Sequence, residues 1–205
     1  MKIKLVNARL SFADLFTPKS INGGAAKFTG TFIASDETKI KFTKDNGEEV
    51  IVPHARLSDV VDKVLTEKFG KLPAKVENWL YNKADGSTTR AAFTNQEGDY
   101  WDGFDANTMY VSAGKKESDC MKGQLDVVDQ QCQQIDPTAN TMHSGVYVDA
   151  VLDVYAYDGG SGKGVTAQLL GVQLRRGGEA LGATPISVKS EFENIEIEGD
   201  EDPNF

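Results

Sequence analysis

Val146-Tyr147-Val148-Asp149-Ala150-Val151-Leu152-Asp153-Val154-Tyr155-Ala156 alternates along its whole length. Val146, Val148, Ala150, Leu152, Val154 and Ala156 fall on one side, and Tyr147, Asp149, Val151, Asp153 and Tyr155 on the other, with Tyr157 continuing the second row. A period of two predicts a strand with one face in a core and the other polar and aromatic. Lys27–Ala34 repeats the pattern, with Phe28, Gly30, Phe32 and Ala34 inward and Lys27, Thr29 and Thr31 outward. Lys2–Phe12 and Lys163–Arg176 keep the period but slip once. In the first, Ile3 and Leu5 give way to Val6, Ala8, Leu10 and Phe12 as the inward row; the second slips at Leu169-Leu170-Gly171. A slip inside a long strand is what a β-bulge produces, and long bulged strands suit small barrels that must curl.

One segment has the helical period. Leu57, Val60, Val61, Val64, Leu65 and Phe69 recur at three and four residues, and Gly70 and Pro73 then stop the helix. A second, weaker helix is expected within Asp119–Ile135. The stretch from Tyr81 to Asp105 is rich in Gly, Asp, Asn and Thr around aromatic residues, which predicts hairpins and loops bearing exposed rings. The sum is a mainly β chain with one or two helices. An OB-fold-like antiparallel barrel with long bulged strands fits, and a β-sandwich fits nearly as well.

Charge divides the chain again. Glu191–Phe205 holds seven carboxylates (Glu191, Glu193, Glu196, Glu198, Asp200, Glu201 and Asp202), no Lys or Arg, and ends on Phe205. Such a block cannot bury enough apolar surface to offset its ordering entropy, so residues 190–205 are expected to form a disordered acidic interaction tail after a single domain over 1–189. The whole chain carries a net charge of -9, but the body without the tail has 22 basic against 24 acidic side chains. Residues 1–75 are weakly positive, with 13 basic and 9 acidic side chains. The acidic total therefore does not argue against a polyanionic partner. Cys120 and Cys132 match neither a disulfide framework nor a closed zinc site, and no apolar run is long enough to span a bilayer, so a soluble protein of a reducing compartment is expected.

Catalytic motifs are thin. Gly159-Gly160-Ser161-Gly162-Lys163-Gly164 resembles a phosphate loop, but Tyr157 and Gly164 stand where a Walker motif needs a Gly and a Ser or Thr, and no helix follows. Asp99, Asp102 and Asp105 could hold metals in a nuclease, against a plainer reading as turn formers beside Gly103. Cys120, Cys132 and His143 lack paired zinc-ligand spacing, and His54 has no evident partner. No cofactor is expected.

Binding readings do better. Tyr147, Tyr155 and Tyr157 on the outward row, Tyr110 on the alternating run Thr108–Ala113, and Trp101 and Tyr81 in the loop-rich stretch are candidate platforms for stacked bases. Base stacking on aromatic rings is worth about 1–3 kcal/mol per base. Lys2, Lys4, Arg9, Lys27, Lys115, Lys116, Arg175 and Arg176 are the candidate phosphate contacts, although Asp149 and Asp153 on the Tyr147 row would repel a phosphate. A β-rich protein-interaction module without nucleic-acid affinity remains the other non-enzymatic reading.

Ser144-Gly145-Val146-Tyr147-Val148-Asp149-Ala150, Tyr155-Ala156-Tyr157, Gly162-Lys163-Gly164-Val165, Val172-Gln173 and Gly178-Glu179-Ala180-Leu181-Gly182 together resemble a family of bacteriophage proteins long known only as a domain of unknown function. That family is associated with single-stranded-DNA binding on an OB-fold. Asn95-Gln96-Glu97-Gly98-Asp99 is loosely similar to its charged turn before an exposed aromatic. The resemblance implies a non-enzymatic coat protein for single strands, acting in replication or recombination in the cytoplasm of an infected bacterium. The acidic tail is similar to those of other single-strand-binding proteins, which implies competition with DNA for a basic groove and recruitment of replication or recombination proteins.

Overall fold

The computed structural model describes residues 1–20, 23–44, 46–88, 91–160 and 162–182. The expected tail, with Glu191 to Asp202 and Phe205, and the expected domain end at 189 lie outside the described residues. In chain order the elements are β1 (Lys2–Lys19), β2 (Lys27–Ala34), β3 (Lys39–Thr43), β4 (Glu49–Pro53), α1 (Leu57–Phe69), β5 (Asn82–Lys83), β6 (Met109–Lys116), β7 (Asp126–Val128), β8 (Tyr147–Gly159) and β9 (Gly162–Arg176).

Five of these strands close a ring. β1 pairs antiparallel with β2 through Leu10↔Phe32, and β2 with β6 from Lys27↔Lys116 to Ala34↔Met109. β6 meets β9 in parallel at Gly114↔Gln168, β9 forms a hairpin with β8, and β8 returns to β1 through Leu5↔Ala150. The circuit β1-β2-β6-β9-β8 is a five-stranded barrel of the OB type, not a sandwich. The first half of β1 instead carries β3, which carries β4.

Both expected bulges are present. The β1–β8 register shifts between Leu5 and Ala8, around Asn7 at φ +60°. The backbone of Asn7 is satisfied inside the bulge: its N–H donates to Asp149 Oδ1 at 3.0 Å, and its carbonyl accepts from Thr38 Oγ1 at 3.0 Å. The β8–β9 register shifts between Val151 and Leu152, which leaves Leu170 as the extra residue. Another irregularity was not expected. Pairing of β1 with β2 breaks between Ser11 and Asp14, Phe12 takes φ +47°, and its ring leaves the inward row for the surface.

The inward rows supply Ile3, Leu5, Leu10, Phe28, Phe32, Val148, Leu152 and Leu169 to the main core. Helix α1 packs on β8 and β9 with Leu57, Val60, Val61, Val64 and Leu65 buried. Gly70 ends it at φ +74°, donating its N–H to Thr66 O at 2.8 Å. The second expected helix does not form. Residues 117–123 make two short 3-10 turns, with Lys122 and Gly123 at positive φ, and β7 follows. A smaller core of Ile33, Ala84, Phe104 and Tyr110 lies under Phe93 and Leu181.

Candidate nucleic-acid interface

The outer face of the β2–β6 pair is a ladder of facing residues: Lys27 with Lys116, Thr29 with Gly114, Thr31 with Ser112, and Ile33 with Tyr110. The first three rungs floor a groove of about 680 Å³, which Ala167 and Gln168 of β9 continue across the barrel seam. Small residues keep the floor low, and Thr31 and Ser112 join their hydroxyls across it at 3.1 Å. Two aromatic rings stand at its borders, Tyr155 at 47% exposure and Phe12 at 43%. Lys27 and Lys116 close one end, and neither makes an ion pair among the described residues. Asp14 and Asp119 also line the groove, and Asp14 is paired with Lys19 at 2.5 Å. Cations at a rim, half-exposed rings and a shallow polar floor suit a single strand, whose phosphates and bases need different partners. In OB barrels the same face, made by the second and third barrel strands, takes oligonucleotides.

The other candidates among the described residues lie outside the groove. Tyr110 lies on the outer face, as its alternation predicts, but it is 1% exposed because Phe93 and Phe104 cover it at 4.9 and 5.7 Å, so it is no stacking platform. Tyr157 packs over Gly164, where any Cβ would stand 2.7 Å from its ring, and so it closes the β8–β9 hairpin. Tyr81 is half-buried against Trp79 at 5.9 Å, and its hydroxyl pKa is raised by burial and by Asp62 of α1. Tyr147 lies under the Arg176 guanidinium at 3.3 Å. Trp101 is 43% exposed beside Phe12.

Arg9, Arg175 and Arg176 are engaged in contacts within the fold. Arg9 donates to Gly145 O and Glu179 O at 3.3 and 3.0 Å, tying the segment after β9 to the start of β8. That crossing is tight enough that a Cβ on Gly145 would meet Glu179 O at 1.9 Å. Arg175 makes two bonds to the buried Asp149, at 2.8 and 3.0 Å, which hold the guanidinium pKa up. Arg176 reaches Glu37 at 3.5 Å from its seat on Tyr147. Asp149 and Asp153 are thereby both partnered, the latter by the terminal amine of Met1 at 3.1 Å. Lys2 and Lys4 lie on the outer wall of β1 beside Val151, away from the groove, and Lys115 faces the opposite side of β6 from Lys116.

In the loop-rich stretch Asp105 forms a turn, and Asp102 ties the hairpin to the segment after β9. Asp105 Oδ1 accepts from Asn107 N–H and the Thr108 hydroxyl, and Asp102 Oδ2 accepts from Gly182 N–H at 3.0 Å. Among the described residues no three His, Cys, Asp or Glu side chains converge on a metal position. No helix among them is long and apolar enough to cross a membrane.

The residue that sequence reading missed is Phe12. Alternation assigned it to the core, and the sign of one backbone angle turned it outward.

A family model described as Enterobacter phage Enc34, ssDNA-binding protein, matches residues 1–203. Putative protein p50 of Acyrthosiphon pisum secondary endosymbiont phage 1 is 30% identical over 203 residues, 98% of each chain. Among solved structures, the single-stranded DNA-binding protein from bacteriophage Enc34 superposes with a TM-score of 0.59 at 16% identity, over 94% of this chain and 90% of that one. The same protein in complex with ssDNA gives 0.58 at 17% identity, over 88% and 89%. The single-stranded DNA binding protein gp2.5 of bacteriophage T7 gives 0.54 at 13% identity, over 97% and 98%. At these identities the superpositions establish a common fold. The sequence match runs far beyond the stretch 144–182 that carries the visible motifs, and the chain belongs to the family of the Enterobacter phage Enc34 ssDNA-binding protein.

Proposed function

We propose that this protein is a phage single-stranded-DNA-binding protein that coats exposed strands in the groove on the β2–β6 face and performs no chemistry on them. The observation that carries this reading is the juxtaposition of Lys27 and Lys116 with the half-exposed rings Tyr155 and Phe12 around one polar floor. The lysines neutralise phosphates, the rings stack bases, and neither reads sequence. Tyr147 and Arg176 serve as an outlying contact, while Lys2 and Lys4 act only on a strand that wraps past the groove.

Gly182, where the described chain ends, lies in a recess that Phe12 also lines. Seven carboxylates beginning nine residues later are therefore tethered to this point at high effective concentration. They compete with DNA when no strand is bound and, once displaced, recruit replication or recombination proteins in the cytoplasm of the infected cell.

The test is equilibrium binding of labelled oligo-dT, duplex DNA and RNA to the full chain and to a chain ending at Lys189, across a salt series. Salt-sensitive preference for single strands that strengthens on truncation supports both parts. Equal affinity of the two chains at low salt would remove the competition, and no binding by either would remove the function.

A further inference from the structure

The groove stops at the covered rung of Ile33 and Tyr110, yet one ring belongs to both sides of that boundary. Phe12 lines the groove and also a second recess of about 440 Å³, whose other walls include Ser11, Asn95, Trp101, Ser144 and Gly182. It reaches this position through a backbone at φ +47°, a conformation uncommon for a bulky residue. A ring needed only for the core would not require it. The Phe12 ring meets Trp101 at 5.7 Å and an interplanar angle of 90°, and Phe93 at 5.4 Å and 82°. Two rings that each keep 43% exposure therefore stand perpendicular at the junction of groove and recess.

The recess differs chemically from the groove. Among the described residues no Lys or Arg lines it, and the Asp102 carboxylate at its edge accepts a bond from Gly182 N–H. Phosphate gains nothing there. Bases do, because rings offer stacking and Ser11 and Ser144 offer hydroxyls. The hairpin that carries Trp101 is held in place independently, by the Thr94↔Tyr100 bridge, by Asn95 N–H bonded to Asp99 O at 2.8 Å, and by Leu181 packed on Gly103.

Resting on the single-strand reading above, we infer that the bound strand continues past the groove over Phe12 into the recess beside Trp101, where bases are held without phosphate contacts. The hairpin of residues 93–104 is then a second base-binding element as well as the cover of the smaller core. Its contribution to affinity is insensitive to salt, unlike that of Lys27 and Lys116.

The test uses oligo-dT of about 16 nucleotides, the upper end of the site sizes known for one OB-fold. A Trp79→Phe protein leaves Trp101 as the one tryptophan, so quenching of its emission on saturation with the oligonucleotide reports stacking at that ring. Trp101→Ala and Phe12→Ala should each weaken binding on the order of 5- to 150-fold, with the slope of affinity against salt unchanged. Comparing melting temperatures with the parent shows whether either variant has lost its fold, and the quenching readout does not depend on that. Unchanged Trp101 emission while the labelled oligonucleotide binds normally would overturn the inference and leave the groove reading intact. No binding by any form, the parent included, would overturn the groove reading and this inference together.

Discussion

The two halves of the outer β2–β6 face obey the same alternation and end in different environments. Lys27, Thr29, Ser112 and Lys116 stay at least partly open around a groove with Thr31 set into its floor, whereas Ile33 and Tyr110, the next rung of the same ladder, lie in the smaller core. The strands are identical in kind on both sides of the boundary. What differs is a segment distant in sequence: Ala84, Phe93 and Phe104 from the loops between β5 and β6, with Leu181 from beyond β9, lie over the second half. Alternation decides which side of a sheet a residue faces, and a different part of the chain decides whether that side meets solvent.

The largest effect should come from uncovering the closed half. Phe104 contacts Phe93 at 4.8 Å and Tyr110 at 5.7 Å, and its side chain is nearly buried. Phe104→Ala should cost about 3–5 kcal/mol, the range for deleting a buried aromatic ring, read as a lowered denaturant midpoint. A loss below about 1 kcal/mol would mean that the cover is a loop resting on the sheet and not a core.

The open half should respond in binding and not in stability. Tyr155→Ala removes a ring that is half exposed and opposes only Thr166 across the hairpin, so the unfolding midpoint should stay near that of the parent. Affinity for oligo-dT should fall by about 1–3 kcal/mol. Loss of stability with affinity retained would reverse the assignment of the two halves.

Much of this division was legible in the sequence, and its limits have identifiable causes. The inward rows of β1, β2, β8 and β9, the two bulges and α1 all follow from local periodicity, because each is decided within about a dozen residues. The side on which Tyr110 lies was legible too, but its cover was not, since nothing local to Thr108–Ala113 refers to Phe93 or Phe104. Phe12 was assigned inward because a positive φ leaves no mark in a hydrophobic pattern. Lys27 and Lys116 were readable as cations at strand ends, but their pairing depends on a register between strands about 80 residues apart. Arg9 and Arg175 could not be told from them, because a cation bonded to Asp149 or to backbone carbonyls has the same sequence signature as an unpaired one. The helix expected within Asp119–Ile135 failed where Lys122 and Gly123 take positive φ and Asp129 turns the chain through bonds from Gln131 and Gln133 N–H.

The partnered cations allow a sharper contrast. Arg175→Ala would leave Asp149, itself almost buried, with only the Asn7 N–H, and should cost about 1–3 kcal/mol of stability. Its effect on oligo-dT affinity should be less than about twofold, well under the tenfold that 1.4 kcal/mol represents. A salt slope that fell as far as for Lys116→Ala would make Arg175 a phosphate contact after all.

The smallest expected effect is the most local, because it separates two neighbours. Lys115 and Lys116 are adjacent, and alternation directs them to opposite sides of β6. Lys116 lines the groove; Lys115 lies near Cys120, whose thiol is pushed up by burial while the Lys115 ammonium pulls it partly back. Lys116→Ala should lower the slope of log affinity against log salt by about 0.7, one phosphate on a single strand, and leave Cys120 unaffected. Lys115→Ala should leave the slope alone and move the pH midpoint of Cys120 alkylation further upward, since the thiolate loses a favourable charge. Each variant is thus the control for the other, with one observable reading each face of the strand. If Lys115→Ala lowered the salt slope as much as Lys116→Ala, the bound strand would reach both sides of the end of β6 and the groove would not be its boundary.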